Sequence, residues 1–138
     1  MTQAILPNIV QENIAAQAQT ITDIQKLESL AADWDGQDAP AISKKCLQQA
    51  QDMITGITKY LNNQTLPSPL PIPRIEPTSD EGVTLNWRMT GDLFVVIIEP
   101  DEITLQRKQS GRNAKVSCLT LEQSVVSLAQ AFSDAKVV

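Results

Sequence analysis

The sequence predicts an α+β fold, and three observations carry that prediction. Apolar residues recur at helical spacing in the first half, closely spaced prolines interrupt the chain after Leu66, and beyond them the period changes to two. The expected architecture is an N-terminal helical hairpin, an antiparallel three- to four-stranded meander and a C-terminal helix. At 138 residues the chain has the length of one domain. A fold of that size buries roughly 65–70% of its extended-chain surface, enough for a core without staples.

Residues 1–20 are rich in Gln, Ala and Asn, with Ile5, Ile9, Val10 and Ile14 as their bulky apolar groups. They read as an N-terminal arm or weak helix, leaving residues 21–138 as the α+β domain. From Thr22 the pattern sharpens: Ile24, Leu27, Leu30, Ala31 and Trp34 fall at helical spacing, and Thr22 with Gln25 fits a capping box. A first helix over 22–35 follows, with Gly36 as its left-handed C-cap and Pro40 preventing continuation. Ser43 suits the N-cap of a second helix, with Ile42 and Leu47 placed as a hydrophobic staple. Cys46, Ala50, Met53, Ile57 and Tyr60 form its apolar stripe, so 22–63 reads as a helical hairpin.

Prolines 67, 69, 71, 73 and 77 make the connector 66–77 extended, as a linker or poor edge strand. The sheet is expected over 82–119. Val83, Leu85 and Trp87 alternate with Thr84, Asn86 and Arg88, as a half-buried strand requires. Thr90-Gly91 supplies a tight turn, and the Leu-Phe-Val-Val-Ile-Ile run 93–98 is apolar on both faces, the mark of a central strand. Pro100-Asp101 has the composition of a type I turn. Ile103 and Leu105 continue the alternation, Lys108 to Asn113 is a polar loop, and Val116 with Cys118 starts a last strand. Leu121, Val125, Leu128, Ala129 and Phe132 mark a C-terminal helix over 121–135 that covers a sheet face.

Hydrophobic and charged contents of 42% and 20% are ordinary, and a net charge of −5 argues against a general nucleic-acid binder. The chain contains no His, which removes Ser-His-Asp and Cys-His catalysis and ordinary zinc chemistry. Cys46 and Cys118 have no Cys or His near them in sequence and read as reduced, half-buried small hydrophobes. With no signal-peptide pattern and no apolar run approaching the roughly 18 residues of a membrane span, the expected location is the cytoplasm, with no membrane partner.

Asp33, Asp35 and Asp38 invite a calcium reading, but the twelfth position of such a loop, which needs a bidentate Glu, is Lys44. No metal and no cofactor are expected. Trp34, Gly36 and Pro40 are instead assigned structural roles: a core plug, a chain reversal and a helix break. The spacing of Leu27, Leu30, Trp34-Asp35-Gly36, Ala39-Pro40 and Ile42, followed by Gly82-Val83-x-Leu85-x-Trp87, resembles a recurrent small bacterial protein family of uncharacterised function. The resemblance covers roughly residues 24–105. Where that family's pattern continues with an aromatic and a glycine, this chain has Gln37 and Asp38. It implies a shared fold with Trp34 and Trp87 as structural signatures, and no activity.

Arg107, Lys108, Arg112 and Lys115 cluster around one expected hairpin, either a phosphate-gripping element or a solvated tip that guards a sheet edge. No aromatic interleaves them, so base stacking is not expected. Glu99, Asp101 and Glu102, with Asp80 and Glu81 on a neighbouring turn, could hold magnesium or run acid–base chemistry, or could simply keep the turns soluble. No glycine-rich phosphate loop, nucleophile elbow or dinucleotide fingerprint is present.

Trp87 and Arg88 fall on opposite faces of their strand, and one sheet face lacks cover if the helices share the other. The leading expectation is therefore a non-enzymatic protein–protein interaction module, antitoxin-like, immunity-like or an adaptor, contacting a protein partner through Trp87, Arg88, Arg107, Lys108 and Arg112. A homodimer is among the assemblies this allows. The alternatives are a regulatory nucleic-acid binder using the basic hairpin 107–115 and a carboxylate, magnesium-dependent hydrolase.

Overall fold

The computed structural model describes residues 2–30, 32–34, 36, 40–89, 91–109, 112–116 and 119–134. The fold is α+β. Helix α1 spans Thr2–Gln25 and runs into a 3₁₀ turn, Lys26–Ser29; α2 spans Lys44–Asn62. Five strands follow: β1 (Arg74–Pro77), β2 (Val83–Met89), β3 (Asp92–Ile98), β4 (Ile103–Gln109) and β5 (Arg112–Val116), before α3 (Leu121–Asp134). The strands form one antiparallel sheet in the order β1-β2-β3-β4-β5.

The period of two sorts the sheet residues. Val83, Leu85 and Trp87 pair across to Ile98, Val96 and Phe94, which share their face, and Ile98 and Val96 pair on to Ile103 and Leu105. This face makes the core with the buried side of α2 (Cys46, Leu47, Ala50, Met53, Ile54, Ile57, Leu61) and with Leu128, Ala129 and Phe132 of α3. Phe132 stands between two sheet aromatics, with ring centroids 5.3 Å from Trp87 and 5.6 Å from Phe94, the latter edge-on. Helix α2 lies between α1 and α3 in a single helical layer.

Local chemistry sets the ends. Ser43 occupies the N-cap of α2 through its carbonyl, which accepts from Leu47 N–H at 3.1 Å, while its own N–H donates to Glu81 O at 2.8 Å and so ties the helix to the β1–β2 turn. Its hydroxyl makes no capping bond. Helix α3 begins with a reciprocal capping box: Gln123 N–H donates to Thr120 Oγ1 (3.0 Å) and Thr120 N–H to Gln123 Oε1 (2.9 Å). Gly82 is required by close approach, because a Cβ there would lie 2.3 Å from the Ile98 carbonyl oxygen.

The N-terminal half departs from expectation. The arm assigned to 1–20 is helical from Thr2, and the helix placed at 22–35 instead ends as α1 closes at Gln25 and the 3₁₀ turn at Ser29. The capping box read at Thr22 does not form; its hydroxyl donates back to Ala18 O inside the helix. Helix α1 is docked by Ile24, fully buried in the core with Ala16 and Ile21 packed beside it, and by one buried amide. Asn13, 1% exposed, donates to Asn62 Oδ1 (2.7 Å) and Ser68 O (2.8 Å) and accepts from Leu70 N–H (2.6 Å), binding helix, α2 terminus and proline-rich connector together. Composition hid this, since the docking residue in the first half of α1 is polar.

Trp34 packs half-buried against the core and donates through Nε1 to Pro40 O at 2.8 Å. Gly36 has a positive φ (+72°), as expected, but in a turn closed by its N–H to Asp33 O rather than at a helix end. The connector supplies the fifth strand, with Arg74–Pro77 pairing along β2 as an edge. Asp35, Asp38, Cys118 and the Thr90 half of the β2–β3 turn lie outside the described residues.

Replacing Asn13 with Ala strands the buried Leu70 N–H and Ser68 carbonyl. We expect unfolding in urea to show a loss of about 2–3 kcal/mol, whereas a change below about 0.5 kcal/mol, typical of surface sites, would mean that α1 is not docked through this residue.

Candidate functional site

Among the described residues no helix packs on the other face of the sheet, although Thr104 on it is buried at 3% exposure. Among the described residues the helices pack against the core face, and Val95, although only 8% exposed, lies outside the core cluster because it points the opposite way. Ladder pairing sets this face in rows. Arg88, Leu93 and Lys108 form the first; Arg74, Asn86, Val95 and Gln106 the second; Glu76, Thr84, Ile97 and Thr104 the third. Glu99 continues the alternation of β3 past its end, with its Cγ 3.2 Å from where a Cβ of Gly82 would stand. The result is an apolar central stripe of Leu93, Val95 and Ile97, flanked by amides and hydroxyls, with exposed Arg88 and Lys108 at one end and carboxylates at the other.

The residues expected to make contacts are divided by this geometry. Arg88 and Lys108 share the open face, in the same row on either side of Leu93. Trp87 is not a contact residue: it is fully buried on the core face and donates through Nε1 to Pro71 O at 3.2 Å. Arg107 and Arg112 belong to the opposite face from Lys108, since neighbours on a strand alternate and Arg112 pairs with Gln109. Arg107 is also engaged, bonding Asp92 through Nε (3.4 Å) and Nη2 (3.2 Å), with its guanidinium 5.1 Å above the Phe94 ring. The basic hairpin is thus split between two sides of the sheet.

The sequence did not single out Leu93, Val95, Ile97, Asn86 and Gln106 as residues of the open face. The signal was the alternation: an apolar run on β3 must place alternate members on the face opposite the core once the helices occupy one side.

At the far end, Asp80, Glu81, Glu99, Asp101 and Glu102 line an open cleft of about 650 Å³ together with Pro40, Ser79 and Pro100. Among the described residues no three His, Cys, Asp or Glu side chains converge closely enough to hold a metal ion. Burial, and then the neighbouring Asp80, Glu102 and Asp101 charges, raise the Glu99 carboxyl above its ordinary value. Asp92 moves the opposite way, held down chiefly by its bond to Arg107. Burial raises the Cys46 thiol, a free cysteine inside the core.

These shifts set opposite pH dependences. A carboxylate depressed in the folded state stabilises the fold above its unfolded pKa and loses that contribution as pH falls through the folded value. The stability gap between wild type and Arg107→Gln should therefore be present at neutral pH and close as pH drops below about 4. Glu99, raised on folding, opposes folding once pH exceeds its ordinary value. Glu99→Gln should stabilise the protein at neutral pH and do nothing in acid. Urea midpoints across pH test both; a gap for Arg107→Gln that persists in acid, or destabilisation by Glu99→Gln at neutral pH, would contradict the assignments.

Among the described residues, no helix is long and apolar enough to cross a membrane. No protein-family model, curated protein or solved structure matches this chain.

Proposed function

We propose that the protein is a non-enzymatic interaction module that binds a protein partner through the open face of its sheet. One observation carries the reading: the described helices are spent on a single face, leaving a five-stranded sheet with an apolar stripe and the exposed cations Arg74, Arg88 and Lys108 on the other. An apolar centre with a polar, charged rim is the ordinary composition of a reversible protein interface. Antitoxin-like, immunity-like and adaptor roles are all served by such a surface, and a cytoplasmic setting suits the unpaired Cys46.

The nucleic-acid reading has less support, because Arg107 and Arg112 lie on the opposite face from Lys108, and Arg107 is paired with Asp92.

The test is capture of partners from the source cells with tagged protein, half of each sample nuclease-treated. Val95→Arg and Lys108→Glu, both on the open face, should each abolish retention of a protein partner, while Arg112→Ala on the other side leaves it intact and nuclease has no effect. Retention that survives Val95→Arg, or that nuclease removes, would overturn the proposal.

A further inference from the structure

The open face carries opposite charges at its two ends, in positions that fit a second copy of itself. Resting on the reading of this face as a contact surface, we infer that its occupant is another copy of this chain, packed face to face with strands antiparallel to form a two-sheet sandwich.

A closed dimer that stacks two identical faces has its two-fold axis in the plane between them. If the axis runs along the strands, each row meets its own copy, and Arg88 and Lys108 face Arg88 and Lys108. If it runs across the strands between the second and third rows, the rows exchange while β3 remains over β3. Val95 then meets Ile97 at the centre, Asn86 and Gln106 oppose Thr84 and Thr104, and Glu99 of each copy comes down over Leu93 of the other. Arg88 and Lys108 flank Leu93 on β2 and β4, so each Glu99 enters between two cations.

The surroundings favour that entry. Burial first, and then like charge from Asp80, Glu102 and Asp101, raises the cost of ionised Glu99, and two cations from a partner offset the charge part. Gly82 beside Glu99 carries no side chain to obstruct the approach. Aligned sheets pack about 10 Å apart, a gap that Arg, Lys and Glu side chains span. Five strands about 4.8 Å apart and seven residues at about 3.4 Å rise give a face of roughly 500 Å². Two such faces bury about 1,000 Å², the lower bound for a specific interface, so the dimer is expected to be reversible.

Sedimentation velocity over about 1–300 μM tests this with the full chain, folding being checked by circular dichroism. The wild type should shift from monomer to dimer with concentration, and dissociate more readily as salt rises. The pair Arg88→Glu/Lys108→Glu turns the cationic contact acidic; Glu99→Lys puts a cation at the position that enters it. Each variant alone should raise the dimer Kd at least about tenfold. Mixed one to one they should form a heterodimer, because both contacts are then between opposite charges.

A wild type that stays monomeric, a dimer indifferent to either variant, or a mixture that fails to pair would each overturn the inference. If the wild type is monomeric while Val95→Arg still abolishes capture of a different partner, the second copy falls and the contact face stands. If Val95→Arg alters neither, both fall.

Discussion

The arrangement depends on where Trp87 goes. Its ring is fully buried against Phe132 of α3, and its indole N–H donates to the Pro71 carbonyl in the connector. One side chain thereby commits β2, the last helix and the proline-rich segment to the same side of the sheet. Turned outward, the indole would expose one of the largest apolar surfaces in the chain, and the alternation of β2 would carry Val83 and Leu85 out with it. The register of the sheet and the placement of the helical layer are therefore one constraint rather than two.

The open face follows from that constraint. Helix α2 lies between its neighbours on the core face, α3 covers the rings of Trp87 and Phe94, and α1 docks on α2 through Asn13 rather than reaching round to the far side. On this face Val95 and Thr104 are buried, and Leu93 and Ile97 are half-exposed. Charge is sorted by the same alternation. Arg107 goes inward to Asp92 and Phe94, where it supports the edge of the core, while its neighbour Lys108 is left to solvent.

Most of the second half of the fold was legible in the sequence because its signals are local. The exception is the last hairpin, where residues read as the loop Lys108 to Asn113 end β4 at Gln109 and open β5 at Arg112, because polar side chains gave no alternation. Period two over Val83–Trp87, the turn at Gly91 and the stripe from Leu121 to Phe132 each specify an element without help from elsewhere. The N-terminal half was not: α1 docks partly through Ile24 at its end, but its first half is tied down by buried Asn13, whose partners lie 49 to 57 positions away, in a Gln- and Ala-rich stretch with no apolar stripe to announce it. The site was half legible. Arg88 and Lys108 stand where a surface reading put them, but grouping Arg107 and Arg112 with Lys108 treated proximity in sequence as proximity in space, and a strand sends successive residues to opposite sides. Trp87 showed its importance in the sequence without showing that its role is inside.

The central claim is that the chain's own helices leave this face bare. The most direct measurement is the rate of thiol labelling at Gln106→Cys in a protein whose native Cys46 and Cys118 are replaced by Ala. The account predicts labelling near the rate of a free thiol in dilute protein, slowing as concentration rises and the face becomes occupied. Slow labelling at every concentration would mean that part of the same chain already covers the face.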